Sequence, residues 1–103
     1  MIYEHRTYNL LPGKMMEFVE AFGEIIVPLF EKHGAKLIGA WQTAIGQSNE
    51  FVYILSFKDM ADRERFWQAL PQDEQFKVYL QGGTRIAFIV SKILRPIPNS
   101  PLN

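Results

Sequence analysis

Hydrophobic residues recur with two different periods along the first third of the chain. Over residues 2–10 the period is two, which predicts a β-strand with two distinct faces. From residue 14 to residue 33 apolar side chains recur every three or four positions, which predicts an amphipathic helix. Pro28 lies inside that helix and cannot donate to the carbonyl of Glu24, so we expect a kink there.

The middle of the chain gives a hairpin signal and then two further helix signals. Strands are predicted over residues 36–43, extending at most to 45, and over residues 50–57, joined by a short polar loop. Asp59 is a fitting N-cap for a second helix, which Pro71 interrupts before a short helix over residues 74–80.

A last strand over residues 84–94 completes the order β-α-β-β-α-β. This order predicts an α+β, ferredoxin-like fold, in which a four-stranded antiparallel sheet carries two helices on one face. We expect one domain over residues 1–95, followed by an extended, Pro-rich arm over residues 96–103.

The third and fourth strands are apolar on both faces, whereas a sheet with one wet face alternates apolar with polar residues. In the third strand one face carries Phe51, Tyr53, Leu55 and Phe57, and the other face carries Val52 and Ile54. In the fourth strand one face carries Ile86, Phe88 and Val90, and the other face carries Ala87, Ile89 and Ile93. Two helices cover only one face, so a second copy of the chain is the simplest cover for the other. We therefore predict a homodimer whose sheets pack face to face.

Composition removes several classes of function. The 103 residues contain no cysteine, which excludes disulfides, zinc ribbons and thiol catalysis. Eleven basic residues balance eleven acidic ones, so we expect no nucleic-acid partner. The apolar runs are too short to span a membrane and the charged N-terminus does not resemble a signal peptide, so we expect a cytoplasmic protein with no membrane partner.

Five segments of the chain form a recognisable set: residues 2–8 (IYEHRTY), 11–14 (LPGK), 33–39 (HGAKLIG), 41–46 (WQTAIG) and 59–65 (DMADRER). In their order and spacing, these segments resemble the NIPSNAP family. The resemblance implies a dimeric α+β barrel, the architecture that the strand faces also predict. It implies fold and assembly rather than a particular activity, and enzymes of the wider superfamily are related by fold alone.

The first strand carries the strongest candidates for chemistry: Tyr3, Glu4, His5 and Arg6. Glu4 and Arg6 are two positions apart, so they share a face and can pair. In a functional interpretation Arg6 holds a substrate carboxylate or enolate while Glu4 orients Arg6. In the alternative, the two form a structural ion pair that crosses the sheet or the dimer interface.

His5 lies on the opposite face of this strand, where it could act as a general base or an axial haem ligand. The chain has only one other histidine, His33 in a helix C-terminal turn, and no carboxylates at matching spacing. We therefore predict no metal site and no bound cofactor.

Aromatic residues make up 14% of the chain, an excess that either fills a small core or lines a binding pocket. The candidate pocket residues in this group are Trp41, Tyr53 and Tyr79. Arg85, at the start of the last strand, either reaches the mouth of such a pocket or is a solvated strand end. By contrast, Arg63, Glu64 and Arg65 are predicted to form an exposed charged face.

Two functions remain open from the sequence. The first is a homodimer that binds or transforms a small hydrophobic or aromatic compound in a pocket between sheet and helices. The alternative is a non-catalytic dimeric module that contacts another protein through its helices or its Pro-rich arm. Neither a phosphate-binding glycine loop nor a Gly-x-Ser-x-Gly elbow is present in the sequence.

Overall fold

Four strands form one antiparallel sheet in the computed structural model, which describes residues 1–103. The strands are β1 (Ile2–Leu10), β2 (Lys36–Gln42), β3 (Glu50–Phe57) and β4 (Ile86–Leu94). Their order across the sheet is β2-β3-β1-β4, so the two central strands, β1 and β3, come from different halves of the chain. This topology confirms the predicted ferredoxin-like fold.

The helices pack on one face of the sheet in two groups. The first group is α1 (Met15–Ala21), a π-helical turn (Phe22–Ile26) and α2 (Val27–Lys32). The second group is α3 (Met60–Ala69), a 3₁₀ turn (Leu70–Gln72) and α4 (Glu74–Leu80). None of these helices has the length and the apolar run that crossing a lipid bilayer requires.

The π-helical turn accommodates Pro28, which has no backbone N–H to donate, within the first helical group. The backbone N–H of Val27 donates to the carbonyl of Phe22, five residues earlier. Pro28 consequently falls in the first turn of α2, where a missing N–H is tolerated. The sequence predicted a kink at this proline, and the structure places a change of helical pitch just before it.

Two aspartates begin the helices of the second group. Asp59 accepts a hydrogen bond of 2.9 Å from the N–H of Asp62 and caps α3, as predicted. Asp73 caps α4 by accepting from the N–H of Gln75 at 2.8 Å. The carboxylate of Asp73 also contacts Lys32 Nζ at 2.8 Å, so this one side chain ties the end of α2 to the start of α4.

The hydrophobic core fills the space between the sheet and the helices. Alternate residues of β3 point into it: Phe51, Tyr53, Leu55 and Phe57 are all buried. Phenylalanines from both helical groups meet them, many in edge-to-face contacts such as Phe22 on Phe51, with ring centres 4.8 Å apart. Most of the aromatic excess is therefore packed core.

The pairing of β4 with β1 shows that one residue of β4, Ile86, lies on a different face of the sheet from the one predicted. The register shifts between Asn9 and Leu10, so that Leu10 pairs with Ile86 while Asn9 pairs with Phe88. Because paired residues lie on the same face, the bulge turns Ile86 toward the helices and Phe88 away from them. The prediction that Ile86 shares a face with Phe88 and Val90 was wrong, since a strict period of two cannot anticipate a bulge.

The sheet face away from the helices, called the open face below, carries large apolar side chains. Phe88 is 54% exposed, Trp41 53%, Val90 44% and Leu94 40%. The single chain thus leaves uncovered the apolar face that the strand pattern indicated.

Candidate functional site

A buried carboxylate on β1 is the centre of a polar network on the helix side of the sheet. Glu4 is completely buried and accepts five hydrogen bonds. Arg63 on α3 donates two of them, from Nε at 3.0 Å and Nη2 at 3.3 Å. Arg6 Nη1 at 3.0 Å, Trp67 Nε1 at 2.7 Å and Ser91 Oγ at 2.7 Å donate the others. Glu4 therefore joins β1, β4 and α3.

Burial and hydrogen bonding shift the pKa of Glu4 in opposite directions. Burial alone would raise its pKa, because it disfavours the charged form. The hydrogen bonds from Arg63, Ser91, Trp67 and Arg6 outweigh burial and lower the pKa from 4.5 to about 2. Glu4 is thus a permanent anion near neutral pH, and its lone pairs are occupied by donors.

Arg6 links this network to a pair of tyrosines. Its guanidinium lies over the Trp67 ring, 4.2 Å from the ring centre, and its Nη2 is 3.5 Å from the Tyr8 hydroxyl. The Tyr8 hydroxyl in turn lies 2.6 Å from the hydroxyl of Tyr53. Tyr53 is fully buried, which raises its pKa well above 10, so its hydroxyl stays protonated.

An apolar cavity of about 70 Å³ lies beside these tyrosines, between the sheet and the helices. All eleven residues that line it are hydrophobic, among them Tyr8, Phe22, Trp67, Tyr79 and Ile86. The Tyr79 hydroxyl is buried and has no hydrogen-bond partner. Burial also raises the pKa of Tyr79, so this hydroxyl remains a donor near neutral pH. One residue that lines the cavity therefore has an unsatisfied polar group.

A wider and more open recess of about 320 Å³ adjoins the cavity. The two share Tyr79, Leu80 and Ile86, and the recess adds Thr84 and Arg85. We call this recess the mouth. The site thus has an apolar inner end and an outer end that carries a cation.

Arg85 is fixed in the mouth by three interactions. Its guanidinium lies 4.3 Å from the centre of the Tyr79 ring. Its Nη1 donates to the carbonyls of Tyr79 and Gly83 at 3.2 Å and 3.1 Å. Gly82 leaves room for this arrangement, because a Cβ there would collide with Nη2 of Arg85.

The structure brings some of the predicted site residues together and separates others. Glu4, Arg6 and Tyr53 belong to the polar network, while Tyr79 and Arg85 form the mouth. The predicted pairing of Glu4 with Arg6 is confirmed.

Three of the predicted candidates lie outside this site. Tyr3 and His5 alternate with Glu4 along β1 and therefore lie on the open face of the sheet. Trp41 lies on the same face at β2, with its ring over Gly39.

Sequence reasoning missed Arg63, Trp67 and Ser91 as members of the site. Arg63 was expected on an exposed charged face, but its guanidinium reaches the buried Glu4, which corrects that expectation. Two signals were available in the sequence. Arg63 and Trp67 are four residues apart and so share a face of α3, and Ser91 is a small polar residue between Ile89 and Ile93 on one face of its strand.

Comparisons with known proteins point to one family. The family model for NIPSNAP matches residues 3–101. The chain is 30% identical over 102 residues to Protein NipSnap homolog 2 of Danio rerio, covering 98% of this chain and 35% of that protein. The chain therefore spans about a third of the length of the curated relatives it matches.

Solved structures agree on the fold. A NIPSNAP family protein from Agrobacterium tumefaciens superimposes with a TM-score of 0.92 at 29% identity, covering 100% of this chain and 94% of that one. A putative antibiotic biosynthesis monooxygenase from Nitrosomonas europaea matches with a TM-score of 0.67 at 14% identity over 94% of this chain and 99% of that one. The second likeness concerns the fold alone.

Proposed function

The chain belongs to the NIPSNAP family, and from that premise we propose that it forms a homodimer that binds a small molecule whose apolar part enters the inner cavity. The observation that carries this proposal is the cavity itself. Its lining residues are aliphatic or aromatic, it adjoins an open mouth, and one of its lining residues, Tyr79, has a buried hydroxyl that lacks a hydrogen-bond partner. Concave, largely apolar sites with a few polar groups are the usual form of small-molecule sites.

The size of the cavity limits what the inner end can hold. A cavity of about 150 Å³ lined by aliphatic and aromatic side chains accepts benzene. At about 70 Å³ the inner cavity is half that size, so it fits a short aliphatic group rather than an aromatic ring. Of the compounds that the sequence left open, the dimensions favour the aliphatic ones.

The polar network supports a role in building this site. Glu4 uses its carboxylate to hold Arg6 and Trp67 in place. Arg6 in turn lies against Trp67 and Tyr8, both of which line the cavity. A rigid wall of this kind lowers the conformational cost of binding.

The open face of the sheet supports the dimer. Its exposed apolar side chains are Trp41, Phe88, Val90 and Leu94. These side chains lie on the two edge strands of the face, Trp41 on β2 and the other three on β4. Large apolar side chains exposed in this way mark an interaction site, and a two-fold axis through the face lets each copy cover the other with the same residues. The ligand cavity is on the opposite side of the sheet, so dimerisation leaves its mouth accessible.

Binding in the cavity is tested with 3-methylbutan-1-ol, a neutral probe with a branched aliphatic end. We expect saturable NMR chemical-shift changes at Tyr79, Leu80 and Ile86, with a dissociation constant in the millimolar range, as its six heavy atoms allow. Ile86 lines both the cavity and the mouth, so the larger side chain of Ile86→Phe should fill part of this space and abolish the changes at Tyr79 and Leu80.

The matched control is Val78→Phe, which adds the same ring at a 63% exposed position of α4. This control should bind the probe as the unmodified protein does. Shifts that do not saturate, or that persist in Ile86→Phe, would overturn the proposal.

A further inference from the structure

The charge and shape of the mouth identify the class of ligand more closely. We propose that the site takes a small aliphatic monocarboxylate, with its branched or short carbon chain in the inner cavity and its carboxylate at Arg85. This inference rests on the proposed function, since it assumes that the cavity binds a ligand.

Arg85 is the group that would recognise the carboxylate. Nη1 is used by two backbone carbonyls, whereas Nη2 makes no hydrogen bond within the chain. The side chain is only 16% exposed, so an anion placed there meets a guanidinium that is already fixed and partly removed from water. Charge-assisted hydrogen bonds from arginine to carboxylate are among the stronger polar contacts in proteins.

The remaining charges near Arg85 leave the mouth with an excess of positive charge. Glu17 Oε1 lies 3.7 Å from Arg85 Nε, at a distance that gives an ion pair without a hydrogen bond. The same Glu17 oxygen is 3.8 Å from Lys14 Nζ. One carboxylate is therefore shared between two cations, and the mouth favours an anion over a cation.

The walls supply neutral donors beside the guanidinium. The Tyr79 hydroxyl is buried without a partner, and Thr84 lines the mouth next to Arg85. The inner cavity, at about 70 Å³, has roughly half the volume that accommodates the six carbons of benzene and so holds roughly three carbons. A carboxylate joined by a short link to an isopropyl group matches both ends of the site.

Three probes with the same carbon skeleton separate the charge from the shape: 3-methylbutanoate, 3-methylbutan-1-ol and 3-methylbutylammonium. We expect the carboxylate to bind about tenfold more tightly than the alcohol, the gain of one charge-assisted hydrogen bond in a partly exposed site. The ammonium should bind more weakly than the alcohol. Affinities are measured by NMR titration of the full chain at low salt.

Arg85→Gln tests which residue is responsible. It should remove the tenfold advantage of the carboxylate over the alcohol, so that the two probes bind the variant with similar affinity. The matched control is Arg65→Gln on α3, whose side chain is 68% exposed, and it should leave both affinities unchanged. If Arg85→Gln does not fold, the unmodified protein is titrated at increasing salt concentration instead. Salt should then weaken the binding of the carboxylate and leave the binding of the alcohol nearly unchanged.

The outcomes distinguish the two proposals. If the alcohol binds in the cavity but the carboxylate binds no more tightly, or keeps its advantage in Arg85→Gln, the inference about the ligand class fails and the cavity remains a site. If neither the alcohol nor the carboxylate binds, the proposed function itself fails.

Discussion

At the scale of single residues, Glu4 shows how this fold keeps a carboxylate ionised in its interior. Replacing it with Gln leaves Arg6 and Arg63 without their counter-charge and forces an amide N–H₂ among donors. We expect Glu4→Gln to lower the free energy of unfolding by about 3 kcal/mol, since breaking a buried ion pair costs about 3–5 kcal/mol. Urea denaturation at pH 7 measures this loss.

The control for Glu4→Gln is Glu64→Gln, which removes the exposed partner of the same Arg63. Exposed ion pairs contribute about 0–1 kcal/mol, so this variant should unfold almost as the unmodified protein does. Equal effects of the two variants would show that the network around Glu4 does not stabilise the fold.

The depressed pKa of Glu4 also predicts a dependence of stability on pH. The pKa is about 2 in the folded chain against 4.5 ordinarily, so the unfolded chain binds the proton more readily. The stabilisation is therefore fully present above about pH 5 and is lost as the pH falls toward 2.

Between pH 7 and pH 3 the loss due to Glu4 is at most about 2 kcal/mol. The pKa of Asp73 is also lowered, chiefly by hydrogen bonds from Lys32 and His33, and it acts in the same direction. The contribution of Glu4 is isolated by comparing urea unfolding of the unmodified protein and Glu4→Gln at each pH. If the free energies of unfolding of the two proteins fall in parallel as the pH is lowered, the pKa of Glu4 is not depressed in the folded chain.

The pairing of Glu4 with Arg6 could be predicted because a strand places residues two apart on one face. Arg63 could not be placed in the same way. It belongs to a run of four charged residues, 62–65, a pattern typical of a solvated helix face, and only the docking of α3 on the sheet brings its guanidinium to Glu4. Contacts between residues 59 positions apart depend on the packing of elements, which local patterns do not encode.

At the scale of elements, the two aspartate caps offer a direct comparison. Asp59 makes only the capping contact to α3, and Asp59→Ala should cost about 1 kcal/mol. Asp73 caps α4 and also holds Lys32 and His33 at the end of α2. We expect Asp73→Ala to lower the melting temperature more than Asp59→Ala does.

Asp73→Asn refines this comparison, because it keeps an oxygen for the Gln75 N–H but removes the charge that attracts Lys32. Its melting temperature should fall between those of the unmodified protein and Asp73→Ala. If Asp59→Ala and Asp73→Ala melt at the same temperature, the tie between α2 and α4 contributes nothing to stability.

The periodic patterns in the sequence did not predict two irregular features of the strands and helices, and the reason is the same for both. The bulge in β4, which leaves Ala87 unpaired opposite Asn9 and Leu10, and the π-helical turn before Pro28 each shift the phase of a periodic pattern by one residue. Both irregularities affect the cavity: Phe22 and Ile26 come from the π turn, and the bulge turns Ile86 inward. Regular periodicity therefore predicts the sheet and the helices well, and it misplaces residues where the site is built.

At the scale of the whole molecule, the open face of the sheet determines how the chain associates. If two copies pack through this face, a charge placed at its apolar side chains must separate them, because the charge would be buried without a partner. We expect the unmodified protein to have twice the chain mass of 11.9 kDa in light scattering at micromolar concentration. Phe88→Glu should have the mass of one chain.

The matched control is Met16→Glu, which introduces the same charge at a position of α1 that is 87% exposed and lies on the helix side. This variant should remain a dimer. If the unmodified protein has the mass of one chain, or if Phe88→Glu stays dimeric, the two copies do not meet through the open face. The apolar side chains at Phe88 and Val90 would then need a different cover, since a single chain leaves both about half exposed to water.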